Sequence, residues 1–161
     1  QAMDKKQRDY VAEALSEVAE FAETEKLRSM ALLETQGSFS HSKYMLEVLH
    51  QVYNPKLGVL WDVLHPLRVL EKIEETYDVL APHIRHVHVH DCAFNDDRTR
   101  LAPCALGEGF VPLPQAVDLL KGGAYRSYLS IEALQKHSDP DEVLPVYAKY
   151  FRNLMSKPAG E

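Results

Sequence analysis

Four short apolar runs constrain this chain more than anything else in it. They are Met30-Ala31-Leu32-Leu33-Glu34, Leu57-Gly58-Val59-Leu60-Trp61-Asp62, the stretch from Ile84 to His90, and Tyr128-Leu129-Ser130-Ile131-Glu132. Each reads as a strand. Between them lie segments with apolar residues at three- and four-residue spacing, which read as amphipathic helices. A first helix is expected from Asp4 to about Glu25 on Tyr10, Val11, Ala14, Leu15, Val18, Ala19, Phe21 and Ala22. Others are expected from Ser42 to Val52, from Pro66 to about Leu80, from Leu113 to Lys121 before Gly122-Gly123, and from Ser138-Asp139-Pro140 to about Asn153. Buried strands alternating with helices imply an α/β fold, a parallel sheet with its helices outside. At 161 residues the chain fits one domain, residues 1–161. Cys92 to Pro112 is long, polar and aperiodic, so it reads as a functional loop.

The third run is unusual. In His86-Val87-His88-Val89-His90-Asp91 imidazoles alternate with valines. Side chains of a strand alternate between faces, so Ile84, His86, His88 and His90 are expected on one face and Arg85, Val87, Val89 and Asp91 on the other. A lone buried histidine is ordinarily just hydrogen-bonded, and a lone acid after a strand is ordinarily a helix cap. Their coincidence argues otherwise. Three runs end in Glu34, Asp62 and Glu132, and the fourth carries His88 near its end. In parallel α/β folds the C-terminal ends of strands converge on one rim. Three carboxylates and an imidazole describe a divalent metal site, with Mn²⁺ or Mg²⁺ favoured and Co²⁺ or Zn²⁺ as alternatives.

Composition excludes other classes. A net charge of −6 gives no phosphate-binding surface for nucleic acid. No apolar run reaches the ~20 residues of a membrane span. Two cysteines, Cys92 and Cys104, make no disulfide framework and are expected as free thiols in a reducing, cytoplasmic compartment. Gly107-Glu108-Gly109 lacks the strand-turn-helix context of a dinucleotide site. His41, His50, His83 and His137 are expected on the surface or as caps.

Four stretches together, Leu60-Trp61-Asp62-Val63-Leu64-His65-Pro66, Ile84 to Asp91, Leu106-Gly107-Glu108-Gly109-Phe110-Val111-Pro112 and Tyr128 to Glu132, resemble the sugar phosphate isomerase/epimerase family of xylose-isomerase-like TIM barrels. The resemblance runs over nearly the whole chain. It implies metal ligands at Glu34, Asp62, His88 and Glu132, and substrate contact by His65 in an Asp-x-x-His pattern. Gln36 departs from it, standing where a His is common, and so does His90, where a Lys is common. Arg68 and Arg98 are candidates for a substrate phosphate, weighed against ordinary solvated charges.

The resemblance also implies a proportion. A (β/α)8 barrel takes ~250 residues, so the chain matches its C-terminal half, four parallel strands with outer helices. That half would leave the strands of Glu34 and Glu132 as edges. Two copies could close a barrel as a homodimer, an N-terminal half could complete it, or the chain could be a truncated piece. The implied reaction is isomerisation or epimerisation of a ketose or related sugar, phosphorylated or not. One of Glu34 and Glu132 removes the proton beside the carbonyl, the metal stabilises the enediolate, and the other Glu returns a proton. The competing functions are a polyol dehydratase on the same barrel, an endonuclease disfavoured by the charge, and a non-catalytic metal-binding half-barrel module.

Overall fold

A computed structural model describes residues 3–95, 97, 99–132 and 139–157. The chain divides into two compact units, Gln1–Val87 and His88–Glu161.

The first unit begins with α1 (Lys5–Thr24), started by a capping box in which Asp4 accepts the Gln7 N–H and the Gln7 side chain accepts the Asp4 N–H. Strand β1 (Ala31–Glu34), helix α2 (Ser42–Val52) and strand β2 (Leu57–Asp62) follow. β1 and β2 are parallel, with Ala31 opposite Leu57 and Glu34 opposite Leu60. β2 alternates Leu57, Val59 and Trp61 into the core, which Met45, Val48 and Leu49 of α2 also fill. α1 packs on α2, but not through the aromatic positions of its repeat. Ala12, Ala19 and Ala22 are buried, while Tyr10 and Phe21 are 73% and 62% exposed and Val18 is exposed too. The helix has apolar residues on both sides, and the side with small residues makes the close approach.

The single helix expected from Pro66 to Leu80 is in fact two elements. A 3₁₀ turn occupies Leu67–Val69, Leu70 is left-handed at φ 63°, and α3 runs from Ile73 to Leu80. The break lets Glu71 turn inward. Its carboxylate is buried, accepts the Ser42 N–H at 2.9 Å and also receives the Ser42 hydroxyl, so it caps the start of α2.

Strand β3 (Ile84–Val89) lies beside β2, and along it the chain passes from the first unit into the second. Val87 and Val89 are fully buried, and His86 and His88, which alternate with them, are half-buried. At the start of the strand Ile84 is buried and Arg85 exposed. Ile84 is also the end of a 3₁₀ turn (Ala81–His83), so strand alternation is not yet established there.

In the second unit the loop expected over Cys92 to Pro112 contains a hairpin. Strands β4 (Asp91–Phe94) and β5 (Leu101–Cys104) pair antiparallel. The Asn95 N–H donates to the Arg100 carbonyl, and the Arg100 N–H to the Asn95 side chain. These strands are short, carry a proline at 103 and show little burial contrast, so no period marks them. Then come α4 (Leu113–Gly122), which stops at Gly123 as expected, β6 (Leu129–Ile131) and α5 (Pro140–Ser156). β6 lies beside the end of β3, where the Glu132 N–H donates to the Val89 carbonyl at 3.0 Å. Among the described residues β1 and β6 each have one strand neighbour, the edges expected of a half-barrel. Cys92 and Cys104 are free thiols.

Asp91 organises this unit. It is buried, and its carboxylate accepts the N–H groups of Cys92 (2.9 Å), Gly107 (2.9 Å), Gly109 (3.0 Å) and Val111 (3.1 Å). Gly109 is obligatory, because a Cβ there would sit 2.1 Å from Asp91 Oδ1 and 2.3 Å from the Cys92 carbonyl oxygen. Replacing Asp91 by Ala strands several buried donors, so a denaturant titration should show a loss of about 3 kcal/mol or more. Burial first, then the charge of Asp91, pushes the Cys104 thiol up from 9.0 to about 11. A raised pKa contributes stability below the ordinary value that is lost as pH rises through the folded one. Stability should therefore fall between pH 9.0 and about 11, and Cys104→Ser should flatten that fall in pH-dependent melts.

Candidate functional site

Parallel pairing puts Glu34 opposite Leu60, and β2 continues two residues further to Asp62. Both carboxylates therefore stand at the C-terminal ends of neighbouring strands. Asp62 is completely buried, at 0% exposure. Thr35 fixes its backbone: the Thr35 hydroxyl accepts the Asp62 N–H at 2.8 Å and donates to the Asp62 carbonyl at 2.9 Å. Asp62 Oδ1 accepts the Leu64 N–H at 2.8 Å and the His65 N–H at 3.4 Å. This turn folds the chain back, so that His65 Nε2 comes to 3.9 Å from Asp62 Oδ2. Ligand atoms of Glu34 and Asp62 lie within 4.8 Å of each other, and so do those of Asp62 and His65.

The donors fit a divalent cation. Two carboxylates held this close, one of them wholly buried, repel unless a cation lies between them. Backbone amides occupy Asp62 Oδ1 and leave the carboxylate oriented rather than mobile. Oxygen donors with imidazole beside them suit Mg²⁺ or Mn²⁺ and admit Zn²⁺ or Co²⁺.

His88 and Glu132 lie at strand ends within the second unit. His88 is half-buried one residue before the end of β3, and Glu132 is half-buried directly after β6, bonded through its N–H to Val89. His90 is buried.

The remaining candidates divide. His65 is buried, and Gln36 Nε2 lies 3.2 Å from its Nε2, so the position that departs from the family pattern touches the expected substrate histidine. Arg68 is exposed on the 3₁₀ turn Leu67–Val69, as a solvated charge would be. Arg98 lies outside the described residues, as does His137. His41 is the N-cap of α2 and sits 3.3 Å from Glu71. Two contributors have no place in the sequence expectations: Thr35, which is not singled out there, and Asp91, read only as a face position. The signal for Asp91 was the alternate spacing of Gly107, Gly109 and Val111, whose N–H groups converge on one carboxylate.

No curated protein matches the chain in sequence. Among solved structures, a probable 3-DHS dehydratase from Bacillus anthracis superimposes with TM-score 0.78 at 18% identity, over 95% of this chain and 59% of its own. A xylose isomerase-like TIM barrel protein from Mycobacterium smegmatis, in complex with magnesium, gives 0.74 at 19%, over 97% and 53%. A D-psicose 3-epimerase from Clostridium cellulolyticum H10, crystallised with D-tagatose, gives 0.75 at 16%, over 98% and 60%. The chain thus spans little more than half the length of these structures, and the likeness is one of fold. Among the described residues no helix is long and apolar enough to cross a membrane. The family described as xylose isomerase-like TIM barrel matches residues 2–154, and the chain belongs to it.

Proposed function

We propose that this chain is the metal-binding half of a sugar isomerase or epimerase acting on a ketose or related polyol. The observation that carries the reading is the pair of Glu34 and the wholly buried Asp62, held within 4.8 Å at adjacent strand ends. His88 and Glu132, at the ends of β3 and β6, complete the ligand set. A bound divalent cation would hold the sugar's carbonyl and a neighbouring hydroxyl and lower the cost of negative charge there. The chain supplies the proton transfers. Glu34 and Glu132 are the two acid–base groups, one removing a proton from the carbon beside the carbonyl and the other returning it. Epimerisation returns the proton to the opposite face of the same carbon, and isomerisation to the neighbouring carbon. His65 hydrogen-bonds a substrate oxygen, with Gln36 orienting its ring.

The four parallel strands correspond to one half of a barrel, and a second half would complete the site. We favour association of two copies, with the edge strands β1 and β6 pairing across the interface, over a separate N-terminal half. A reducing, cytoplasmic setting suits the two free thiols. A second reading, a dehydratase of a cyclic polyol, is supported by the similarity to the probable 3-DHS dehydratase. It needs the same proton abstraction, followed by loss of hydroxide instead of reprotonation.

Light scattering should give twice the mass of one chain. Turnover of a ketose panel should require Mn²⁺ or Mg²⁺, vanish with chelator and return on adding metal. An unsaturated product would select the dehydratase, and bound metal without any turnover would leave a non-catalytic module. Asp62→Asn should weaken Mn²⁺ binding by about tenfold or more in a calorimetric titration, since it removes a ligand charge. Glu132→Gln should keep a folded protein while losing most turnover; unchanged turnover with metal bound would remove its acid–base role.

A further inference from the structure

The first unit has a cleft at the beginning of its strands rather than their ends. Its volume is about 290 Å³, at the lower limit for small-molecule sites. Leu49, Pro55 and Leu57 give it an apolar floor, and Tyr53, His83 and Arg85 stand around it. Leu57 opens β2 and Asp62 closes it, so the strand separates this cleft from the metal ligands by about 16 Å.

Its chemistry is specific. The chain carries a net charge of −6, yet the lining contains an arginine and a histidine and no carboxylate. Burial, then the charges of Arg85 and His50, hold the His83 imidazole below its usual pKa. An anion would relieve that crowding of positive charge. Arg85 is built into place. Gly58 makes room for its stem, because a Cβ there would come within 2.5 Å of Arg85 Cγ. Arg85 Nη1 donates to the carbonyls of Pro82 (2.9 Å) and Ile84 (3.1 Å), which fixes the guanidinium plane. Asn54 is equally fixed, donating to Glu23 at 3.0 Å and accepting the Lys56 N–H at 2.8 Å. Tyr53 ends α2 in the left-handed region at φ 38° and is 91% exposed. A glycine or asparagine would hold that cap without strain, so an aromatic ring is kept there at a backbone cost.

We propose that this cleft binds a small organophosphate, a phosphate monoester with a flat apolar body. Its oxyanion sits on Arg85 and His83, and its body lies on Leu49, Pro55 and Leu57 beside the Tyr53 ring. Guanidinium is suited to the planar, paired acceptors of a phosphate, and a tyrosine ring offers apolar area with little entropy to lose.

The test is calorimetric titration of the full chain with phenyl phosphate, inorganic phosphate and phenol, together with NMR of the imidazole signals. Phenyl phosphate should bind, with each half-probe weaker by about tenfold or more. Binding should raise the pKa of His83. Arg85→Gln should weaken phenyl phosphate by about tenfold. Tyr53→Gly should weaken it too, while raising the melting temperature because it removes the strained cap, so its effect cannot be misfolding. Chelator and Asp62→Asn should leave the affinity unchanged. Phenol binding as well as phenyl phosphate, inorganic phosphate binding equally well, unmoved His83 signals, equal affinity in the two cleft variants, or no binding in the millimolar range would each overturn the proposal.

Discussion

A charged side chain buried to the last atom is the constraint on which the first unit depends. Asp62 has no exposure, and burying a carboxylate costs several kcal/mol unless its oxygens find donors or a cation. The chain meets this with backbone. Two amides of the following turn point at Oδ1, and the Thr35 hydroxyl bonds both the N–H and the carbonyl of the same residue. The carboxylate is thereby oriented before any ligand arrives, which is the pre-organisation a metal centre needs from its surroundings. The same turn returns His65 to the carboxylate, so one local structure positions both side chains.

The second unit applies a related solution to a different end. Asp91 also spends its oxygens on backbone amides, but three of the four come from a segment 16 to 20 residues away. Here the carboxylate is structural. It ties the segment of Gly107, Gly109 and Val111 to the start of β4. Two aspartates at strand ends thus play unlike parts, and the difference lies in their partners: a neighbouring glutamate for Asp62, a ring of N–H groups for Asp91.

Much of this was legible in the sequence because it is written in periodicity. The four strands fall where the apolar runs are, β2 over Leu57–Asp62 to the residue, and the valines of the histidine strand are buried as alternation demands. The placing of Glu34 and Asp62 at neighbouring strand ends follows from where the two apolar runs stop. What was hidden is non-periodic or long-range. The hairpin of β4 and β5 has no burial contrast to announce it. The break at Leu70 depends on a left-handed residue without glycine and on a glutamate that reaches Ser42. In α1 both sides are apolar, and only packing chooses the alanine side over Tyr10 and Phe21. Thr35 has meaning only once β2 lies beside it.

The convergence of distant amides on Asp91 has a kinetic side. Gly107, Gly109 and Val111 share one acceptor group, so their protection from solvent hydrogen exchange is coupled: the carboxylate cannot swing away from one amide and keep the others in place. The segment opens as a single cooperative event instead of fraying residue by residue. The order of this segment therefore hangs on a single side chain.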